Sequence, residues 1–188
     1  LYIEVRDGST NQLYDLVHQR VGIRSYSISP SQGFLLNGQA YDLHGVSAHQ
    51  DRLNKGWAIS SADIQQDMSL VLEIGATMLR TAHYQQSQLV YDLADENGLI
   101  IWVEAPVVNS AAPSLATSAQ QQLKELIRQN FNHPSIIVWG LYNEIVDDAN
   151  GQTMVSTLNA LAHAEDPTRL TTGASNHDPL ATLESIPD

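Results

Sequence analysis

The clearest chemical signal is an apolar segment that ends in an amide and a carboxylate. Residues 136–141 are apolar throughout, and Asn143 and Glu144 lie just beyond them. The strands of a parallel barrel are apolar along their length, and their C-terminal ends present catalytic groups. A carboxyl group placed there can protonate a leaving group and then deprotonate water. We predict that Glu144 is a catalytic acid/base; the alternative is a solvated glutamate after a strand.

A second polar group follows another candidate strand at residues 77–79. It contains Arg80, His83 and Tyr84. If residues 77–79 are a barrel strand, these side chains lie at the rim where barrel chemistry is found. The alternative interpretation is an ordinary ion pair with a capping histidine.

Three more predicted strands end in residues that are able to bind a polar ligand. These candidates are His49 and Asp51 after the first strand, Trp102 and Glu104 at the third, and His177 and Asp178 after the fifth. For His49 and Asp51 a purely structural role is the alternative. Glu104 is a second carboxylate at the predicted rim.

Strand-like and helix-like segments alternate from Phe34 onward, which predicts an α/β fold. Helices are indicated by apolar residues at helical spacing between caps or ends such as Ser60 or Ser61, Ser87 and Gly98. A complete (β/α)8 barrel has eight units in about 250 residues. We predict a partial TIM barrel of about five units in residues 34–188. Its strands are expected at 43–46, 77–79, 99–103, 136–141 and 170–172, and one helix should bury Leu123, Leu126, Ile127 and Phe131.

Residues 1–33 contain short strand-like segments, at 1–5, 13–17 and 21–26, with a turn cluster at 7–11. This is too little for a domain, and we predict the last strands of an immunoglobulin-like β-sandwich. Because the chain begins at Leu1, we expect it to be the interior of a longer protein.

Composition excludes several classes of function. The 188 residues include 9 basic and 21 acidic side chains, a net charge of -12. This balance argues against nucleic acid and anionic membranes as partners, because both require a basic surface. The chain has no cysteine, so disulfides, thiol nucleophiles and thiolate metal sites are absent. No apolar run approaches the roughly 18 residues of a membrane span.

Four motifs in order resemble the retaining glycoside hydrolases of family 2, the β-galactosidase and β-glucuronidase group. They are Gly45-Val46-Ser47-Ala48-His49-Gln50-Asp51, Arg80-Thr81-Ala82-His83-Tyr84, Trp102-Val103-Glu104-Ala105-Pro106 and Asn143-Glu144. The family usually has a basic residue at the position of Ala48 and proline at that of Gln85. With glutamine at position 85, the motif resembles the Bacteroidetes branch of the group.

The resemblance implies a role for each candidate residue. Glu144 would be the acid/base, Asn143 would bind a sugar hydroxyl, and Arg80 would orient and stabilise the nucleophilic carboxylate. His83 would contact the sugar. The remaining candidates would shape the sugar pocket, namely His49, Asp51, Tyr84, Trp102 and Glu104.

The implied activity is hydrolysis of terminal β-D-galactosides by retaining double displacement. Retention requires a second carboxylate about 5–5.5 Å from the first, and in the family it lies on the seventh strand. We therefore expect the nucleophile to be missing from this chain, although Glu104 or Asp178 could in principle substitute. The alternatives are β-glucuronidase or β-mannosidase activity, or a non-catalytic carbohydrate-binding or assembly fragment.

Partners and cofactors follow from the same resemblance. The expected partner is a β-galactoside carbohydrate, and no cofactor is required, although a divalent or sodium ion is compatible with the family. A partial barrel exposes strand edges and apolar surface. We therefore expect self-association or pairing with the missing half of the barrel, which a monomeric mass in solution would contradict. A bacterial cytoplasmic or periplasmic location is implied by the resemblance alone.

Overall fold

Two small antiparallel units precede the main body in the computed structural model, which describes residues 1–176 and 182–188. The candidates His177 and Asp178 lie outside the described residues. The first five strands are β1 (Tyr2–Arg6), β2 (Leu13–His18), β3 (Tyr26–Ser29), β4 (Gly33–Leu36) and β5 (Gln39–Ala40). β1 pairs with β2, and β3, β4 and β5 form a three-stranded sheet.

The main body alternates strands and helices, as the sequence predicts. Its elements are β6 (Gly45–Ala48), α1 (Ser61–Glu73), β7 (Met78–Thr81), α2 (Gln88–Asn97), β8 (Ile100–Glu104), α3 (Ala116–Asn130), β9 (Ile136–Asn143), α4 (Ala149–Glu165) and β10 (Leu170–Ala174). The five strands form one parallel sheet in the order β10-β9-β8-β7-β6. This confirms the α/β class and the partial barrel, with β6 and β10 as the outer strands.

Local sequence sets the ends of the helices. Ser60 caps α1, because its hydroxyl accepts from the Asp63 backbone N–H while the Asp63 carboxylate accepts from the Ser60 N–H. Ser87 caps α2, and Gly98 ends it at φ 70°, a conformation that costs glycine little. Among the described residues, no helix combines the length and apolar character needed to cross a membrane.

The three-stranded sheet covers the N-terminal end of the barrel strands. Phe34 packs against Ile100 and Ile137, which lie at the starts of β8 and β9. The Tyr26 hydroxyl donates to the Ile137 carbonyl at 2.9 Å, and the Tyr41 hydroxyl donates to the Gly98 carbonyl at 3.0 Å. One end of the sheet is therefore closed by apolar packing, and the polar candidates lie at the opposite end.

A buried ion pair anchors the start of β9. Arg169 donates to the Asp166 carboxylate at 2.6 Å and to the Ile136 carbonyl at 2.8 Å, and the Trp139 indole N–H also donates to Asp166, at 3.0 Å. Burial alone would raise the pKa of Asp166, but hydrogen bonds from Thr168 and Arg169 outweigh it and lower that pKa. The strand that presents Glu144 is thus held by charged groups that the sequence analysis did not identify.

Three sequence predictions of local structure were wrong in detail. No strand covers residues 21–25; instead the Arg24 guanidinium donates to the carbonyls of Pro134 and Ile136. The strand expected at 43–46 lies at Gly45–Ala48, because pairing with β7 begins at Gly45. Phe131 is 50% exposed rather than buried, because α3 ends at Asn130.

The predicted domain boundary at residues 33 and 34 falls inside a hairpin. β3 lies before it, and the boundary itself cuts β4 after Gly33, yet the two strands pair from Tyr26↔Leu36 to Ser29↔Gly33. β3 therefore packs with the barrel segment. The assignment of β1 and β2 to an immunoglobulin-like domain stays a prediction.

Candidate active site

The ends of three neighbouring strands bring charged and amide side chains together. Arg80 in β7 donates through Nε to Glu104 Oε1 at 2.5 Å and through Nη2 to Asn143 Oδ1 at 2.7 Å. Glu104 ends β8 and Asn143 ends β9. Because the strands are parallel, residues distant in sequence meet at one edge of the sheet. Arg80, Glu104 and Asn143 are therefore one hydrogen-bonded cluster, as the sequence analysis expected of rim residues.

His83 joins this cluster through its Nδ1 atom. Nδ1 lies 2.9 Å from Glu104 Oε2 and 3.0 Å from Arg80 Nη2. A guanidinium only donates and a carboxylate only accepts. Nδ1 can therefore either accept from Arg80 or donate to Glu104, but not both at once. Arg80 Nη2 already donates to Asn143, so the best-satisfied arrangement has Nδ1–H donating to Glu104. This leaves the Nε2 atom of His83 for a ligand.

Glu104 is fully buried beneath the rim. Its side chain is 0% exposed, and its two oxygens are held by Arg80 and His83. Both oxygens are therefore engaged, and Glu104 fixes the positions of Arg80 and His83. The expected contact of Glu104 with the sugar stays a prediction.

Trp102 also contacts the Arg80 guanidinium. The guanidinium carbon is 4.9 Å from the centroid of the indole ring, within the range of a cation–π interaction. The Trp102 Nε1 atom is buried without a hydrogen-bond partner among the described residues. Arg80 is therefore held by an aromatic face as well as by two oxygen acceptors.

Gly140 allows β9 to pass close to this cluster, and we expect Gly140→Ala to disrupt it. A Cβ atom there would lie 2.5 Å from Trp102 Nε1 and 2.6 Å from Glu104 Cγ. The matched control is Gly45→Ala in the same sheet, where the nearest atom, Met78 Cβ, is 3.5 Å away. We predict a loss of about 1–3 kcal/mol in the free energy of unfolding for Gly140→Ala. Urea unfolding checks this, and equal losses in both variants would contradict it.

Asn143 is fixed by its backbone and keeps a free donor. Its N–H donates to the Val107 carbonyl at 2.8 Å, and its carbonyl accepts from the Asn109 N–H at 2.9 Å. Because Arg80 only donates, the amide oxygen of Asn143 must face it. The amide NH2 group makes no hydrogen bond within the described residues, so it is available for a hydroxyl.

The Glu144 side chain extends from the end of β9 with no partner among the described residues. Its backbone is left-handed, with φ 51°, and its N–H donates to the Ala174 carbonyl at 2.7 Å. This conformation costs a glutamate about 1–2 kcal/mol relative to an ordinary one. The side chain is exposed, and the described residues offer its carboxylate no hydrogen bond or ion pair. A free carboxylate beside an ordered amide suits proton transfer to a bound substrate.

His49 and Tyr84 extend the cluster along the rim, whereas Asp51 does not join it. The His49 ring lies edge-on to His83 with centroids 5.1 Å apart, and its Nδ1 is 3.4 Å from the Tyr84 hydroxyl. Asp51 is exposed, makes no hydrogen bond within the described part of the chain, and lines a cavity of about 200 Å³ beside α1 with Asp67. The expected contact of Asp51 with the sugar stays a prediction.

Sequence reasoning missed Trp57 and Gln50. The Trp57 ring packs on Tyr84 in a tilted arrangement with centroids 4.7 Å apart, and the Gln50 N–H donates to the Tyr84 hydroxyl at 3.1 Å. An exposed tryptophan in the polar segment Asn54-Lys55-Gly56-Trp57 was the available signal. Its partner Tyr84 is on a different loop, which sequence spacing does not reveal.

The compatibility of the site with a divalent or sodium ion stays a prediction. Both Glu104 oxygens are engaged, and within residues 1–176 and 182–188 the site contains no group of three metal-ligating side chains. Asp92, Asp95 and His133 do lie together elsewhere. There the Asp95 carboxylate already contacts His133 Nδ1 at 2.7 Å and accepts from the Ser135 N–H at 3.0 Å. These contacts hold the loop before β9 and give His133 a structural role.

Comparison with known proteins agrees with the fold. A β-glucuronidase from Bacteroides fragilis is 44% identical over 174 residues, 87% of this chain and 25% of that protein. A β-galactosidase from Thermoanaerobacterium thermosulfurigenes is 34% identical over 182 residues, 94% of this chain and 24% of that protein. The chain therefore spans about a quarter of the length of these relatives.

The similarity extends to solved structures and to a defined family. The crystal structure of an FMN-binding β-glucuronidase from Facaelibacterium prausnitzii L2-6 has a TM-score of 0.89 at 40% identity, covering 95% of this chain and 29% of that one. Residues 28–186 match the family described as glycosyl hydrolases family 2, TIM barrel domain. This match covers the parallel sheet and every residue of the Arg80 cluster, and the chain belongs to that family.

Proposed function

We propose that this chain supplies the acid/base half of a retaining glycoside hydrolase that acts on terminal β-D-glycosides. The observation that carries the proposal is the free Glu144 carboxylate next to Asn143, whose amide is oriented by Arg80 at 2.7 Å. A glycosidic oxygen is a poor leaving group and needs a proton as its bond breaks. Glu144 donates that proton and then accepts one from the attacking water.

The neighbouring side chains position the sugar. The amide NH2 of Asn143 donates to a hydroxyl next to the reacting carbon, a contact that strengthens in the transition state. Arg80 stabilises the negative charge of the nucleophilic carboxylate. His83 offers Nε2 to another sugar hydroxyl.

The nucleophile, in this proposal, is not among the described residues. Glu104 is the carboxylate in contact with Arg80 and His83, and its side chain is fully buried. Asp178 lies outside the described residues. We propose that the second carboxylate lies on barrel strands beyond β10, which would also cover the open edge of that strand. Pairing with a second copy is the alternative way to complete the sheet.

We propose β-D-glucuronides as the preferred substrates, in place of the β-galactosides expected from the sequence. The chain is 44% identical to a named β-glucuronidase and 34% identical to a named β-galactosidase. The second similarity keeps β-galactosides as the second candidate. Acid/base and nucleophilic steps by carboxylates need no cofactor, and we propose none for this reaction. FMN binding is stated for the Facaelibacterium relative alone.

A comparison of two aryl glycosides tests the substrate. The complete gene product is assayed with nitrophenyl β-D-glucuronide and nitrophenyl β-D-galactoside. We expect kcat/KM to be higher for the glucuronide. A glucuronidase must recognise the C6 carboxylate, and a galactoside has a hydroxymethyl group at that position. A higher value for the galactoside would reverse the assignment. Hydrolysis of neither would favour the carbohydrate-binding or assembly alternative.

A further inference from the structure

Trp57 is an exposed aromatic side chain held in one orientation. Its residue is 65% exposed, yet its ring packs in a tilted arrangement on Tyr84 with centroids 4.7 Å apart and an interplanar angle of 34°. It takes no part in the hydrophobic core. An exposed indole with one face packed leaves the other face for a ligand.

Charged contacts fix the loop that carries Trp57. Arg52 donates to Asp63 at 2.5 Å and to Asp67 at 2.9 Å, and Lys55 donates to Asp63 at 2.7 Å. The hydrogen bond from Lys55, followed by those from Ser60 and Arg52, holds the pKa of Asp63 well below its usual range. Because the loop is anchored on α1, the indole is preorganised and loses little conformational freedom when it binds.

A groove adjoins the rings of Trp57 and Tyr84. It has a volume of about 380 Å³ and is lined by Trp57, Tyr84, Pro106, Gln122 and Glu125 among others. This volume is within the range of about 300–1,000 Å³ for small-molecule sites. The lining combines aromatic faces with amide and carboxylate groups. A pyranose ring needs this combination, because it has apolar C–H faces and a rim of hydroxyls.

The polar groups of the groove keep hydrogen-bonding capacity for a ligand. Gln122 uses its amide nitrogen on Ser118, and Glu125 uses Oε1 to accept from Gln121. The Gln122 amide oxygen and Glu125 Oε2 make no hydrogen bond within the described ranges of the chain. Both are acceptors, and sugar hydroxyls are donors.

Tyr84 lines the groove and also contacts a residue of the candidate active site. The Tyr84 hydroxyl is 3.4 Å from His49 Nδ1, and the His49 ring contacts that of His83. A terminal sugar placed at Asn143 and His83 must direct its leaving group out across the rim. We propose that Trp57 and its groove bind a sugar ring of the leaving group, so that the substrate is an oligosaccharide. This inference rests on the proposed function.

Substrate pairs with one terminal sugar test the inference. The complete gene product and its Trp57→Ala and Trp57→Tyr variants are assayed with an aryl β-D-glucuronide and a β-D-glucuronosyl disaccharide, and in parallel with an aryl β-D-galactoside and lactose. For Trp57→Ala we expect kcat/KM to fall about 3- to 10-fold more for the disaccharide than for the matching aryl glycoside, chiefly through KM. Trp57→Tyr keeps an aromatic face and should recover most of the loss.

An exposed aromatic residue far from the site provides the control. Phe131→Ala, at the end of α3 near the start of β9, should not change the ratio between the two substrates. Equal loss on both substrates in Trp57→Ala would overturn the inference, because a structural role through Tyr84 affects every substrate alike. No loss on either substrate would also overturn it, as expected if another protein segment covers Trp57.

A binding measurement separates this inference from the proposed function. The indole N–H resonance of Trp57, assigned by its loss in Trp57→Ala, is followed by NMR while each disaccharide is added. A saturable shift with no hydrolysis would support the groove and remove the enzymatic proposal. Hydrolysis with no shift of this resonance would retain the enzyme and overturn the groove.

Discussion

Glu144→Gln is expected to lower the kcat/KM of the complete gene product by about 10²- to 10⁴-fold, the usual contribution of general acid–base catalysis. Glutamine keeps the shape and the hydrogen-bonding capacity of the side chain but cannot donate a proton as an acid. The left-handed backbone at φ 51° should persist, because it is held by the hydrogen bond from the Glu144 N–H to the Ala174 carbonyl. The loss should therefore be catalytic rather than structural.

The leaving group distinguishes acid catalysis from a general disturbance of the site. A dinitrophenyl glycoside needs little protonation, so the Glu144→Gln variant should lose far less activity on it than on an alkyl glycoside. Glu73→Gln is the matched control, because Glu73 is exposed at the end of α1. Equal losses on both glycosides would argue against Glu144 as the acid.

Arg80→Met is expected to cost about 3–5 kcal/mol in the free energy of unfolding, together with most of the activity. The Glu104 side chain is 0% exposed and that of Arg80 is 19% exposed. Methionine fills similar space but leaves a buried carboxylate with His83 as its remaining partner. It also removes the donor that orients the Asn143 amide. The unfolding free energy is measured by urea denaturation, and the activity as kcat/KM.

Two further variants separate the effects of the guanidinium geometry and of burial from the effect of the charge alone. Arg80→Lys keeps the charge but cannot reach Glu104 and Asn143 with a planar fork, so it should be intermediate. Arg128→Met removes an arginine whose side chain is 61% exposed and paired with Glu165. That loss should be much smaller, because solvent screens an exposed pair. Similar losses for Arg80→Met and Arg128→Met would contradict the role given to burial.

Much of the architecture could be predicted because its signals are local. The apolar run at 136–141, the cap residues Ser60 and Ser87, and Gly98 each act over a few residues of chain. The barrel strands lie within about two residues of their predicted bounds. The predictions at residues 21–25 and at Phe131 failed because local sequence signals did not decide those positions. Arg24 bonds to carbonyls more than a hundred residues away, and Phe131 follows the last turn of a helix.

For the candidate site, too, some features follow from the sequence and others depend on the tertiary structure. The sequence alone determined which chemical groups are available at the strand ends, because Arg80, Glu104, Asn143 and Glu144 each follow or end an apolar segment. Tertiary structure decided what each group can do. Strand register places Arg80 opposite Trp102 and Glu104 opposite Gly140, which buries Glu104 and makes it a support.

Trp57 shows why contacts between loops had to come from the tertiary structure. Its partner Tyr84 is on the loop after β7, and the two meet because β6 and β7 are neighbours in the sheet. Local sequence specifies backbone conformation through short-range sterics and hydrogen bonds. Burial, ion pairing and exposed aromatic faces depend on which strands lie side by side, and only the packed sheet determines that.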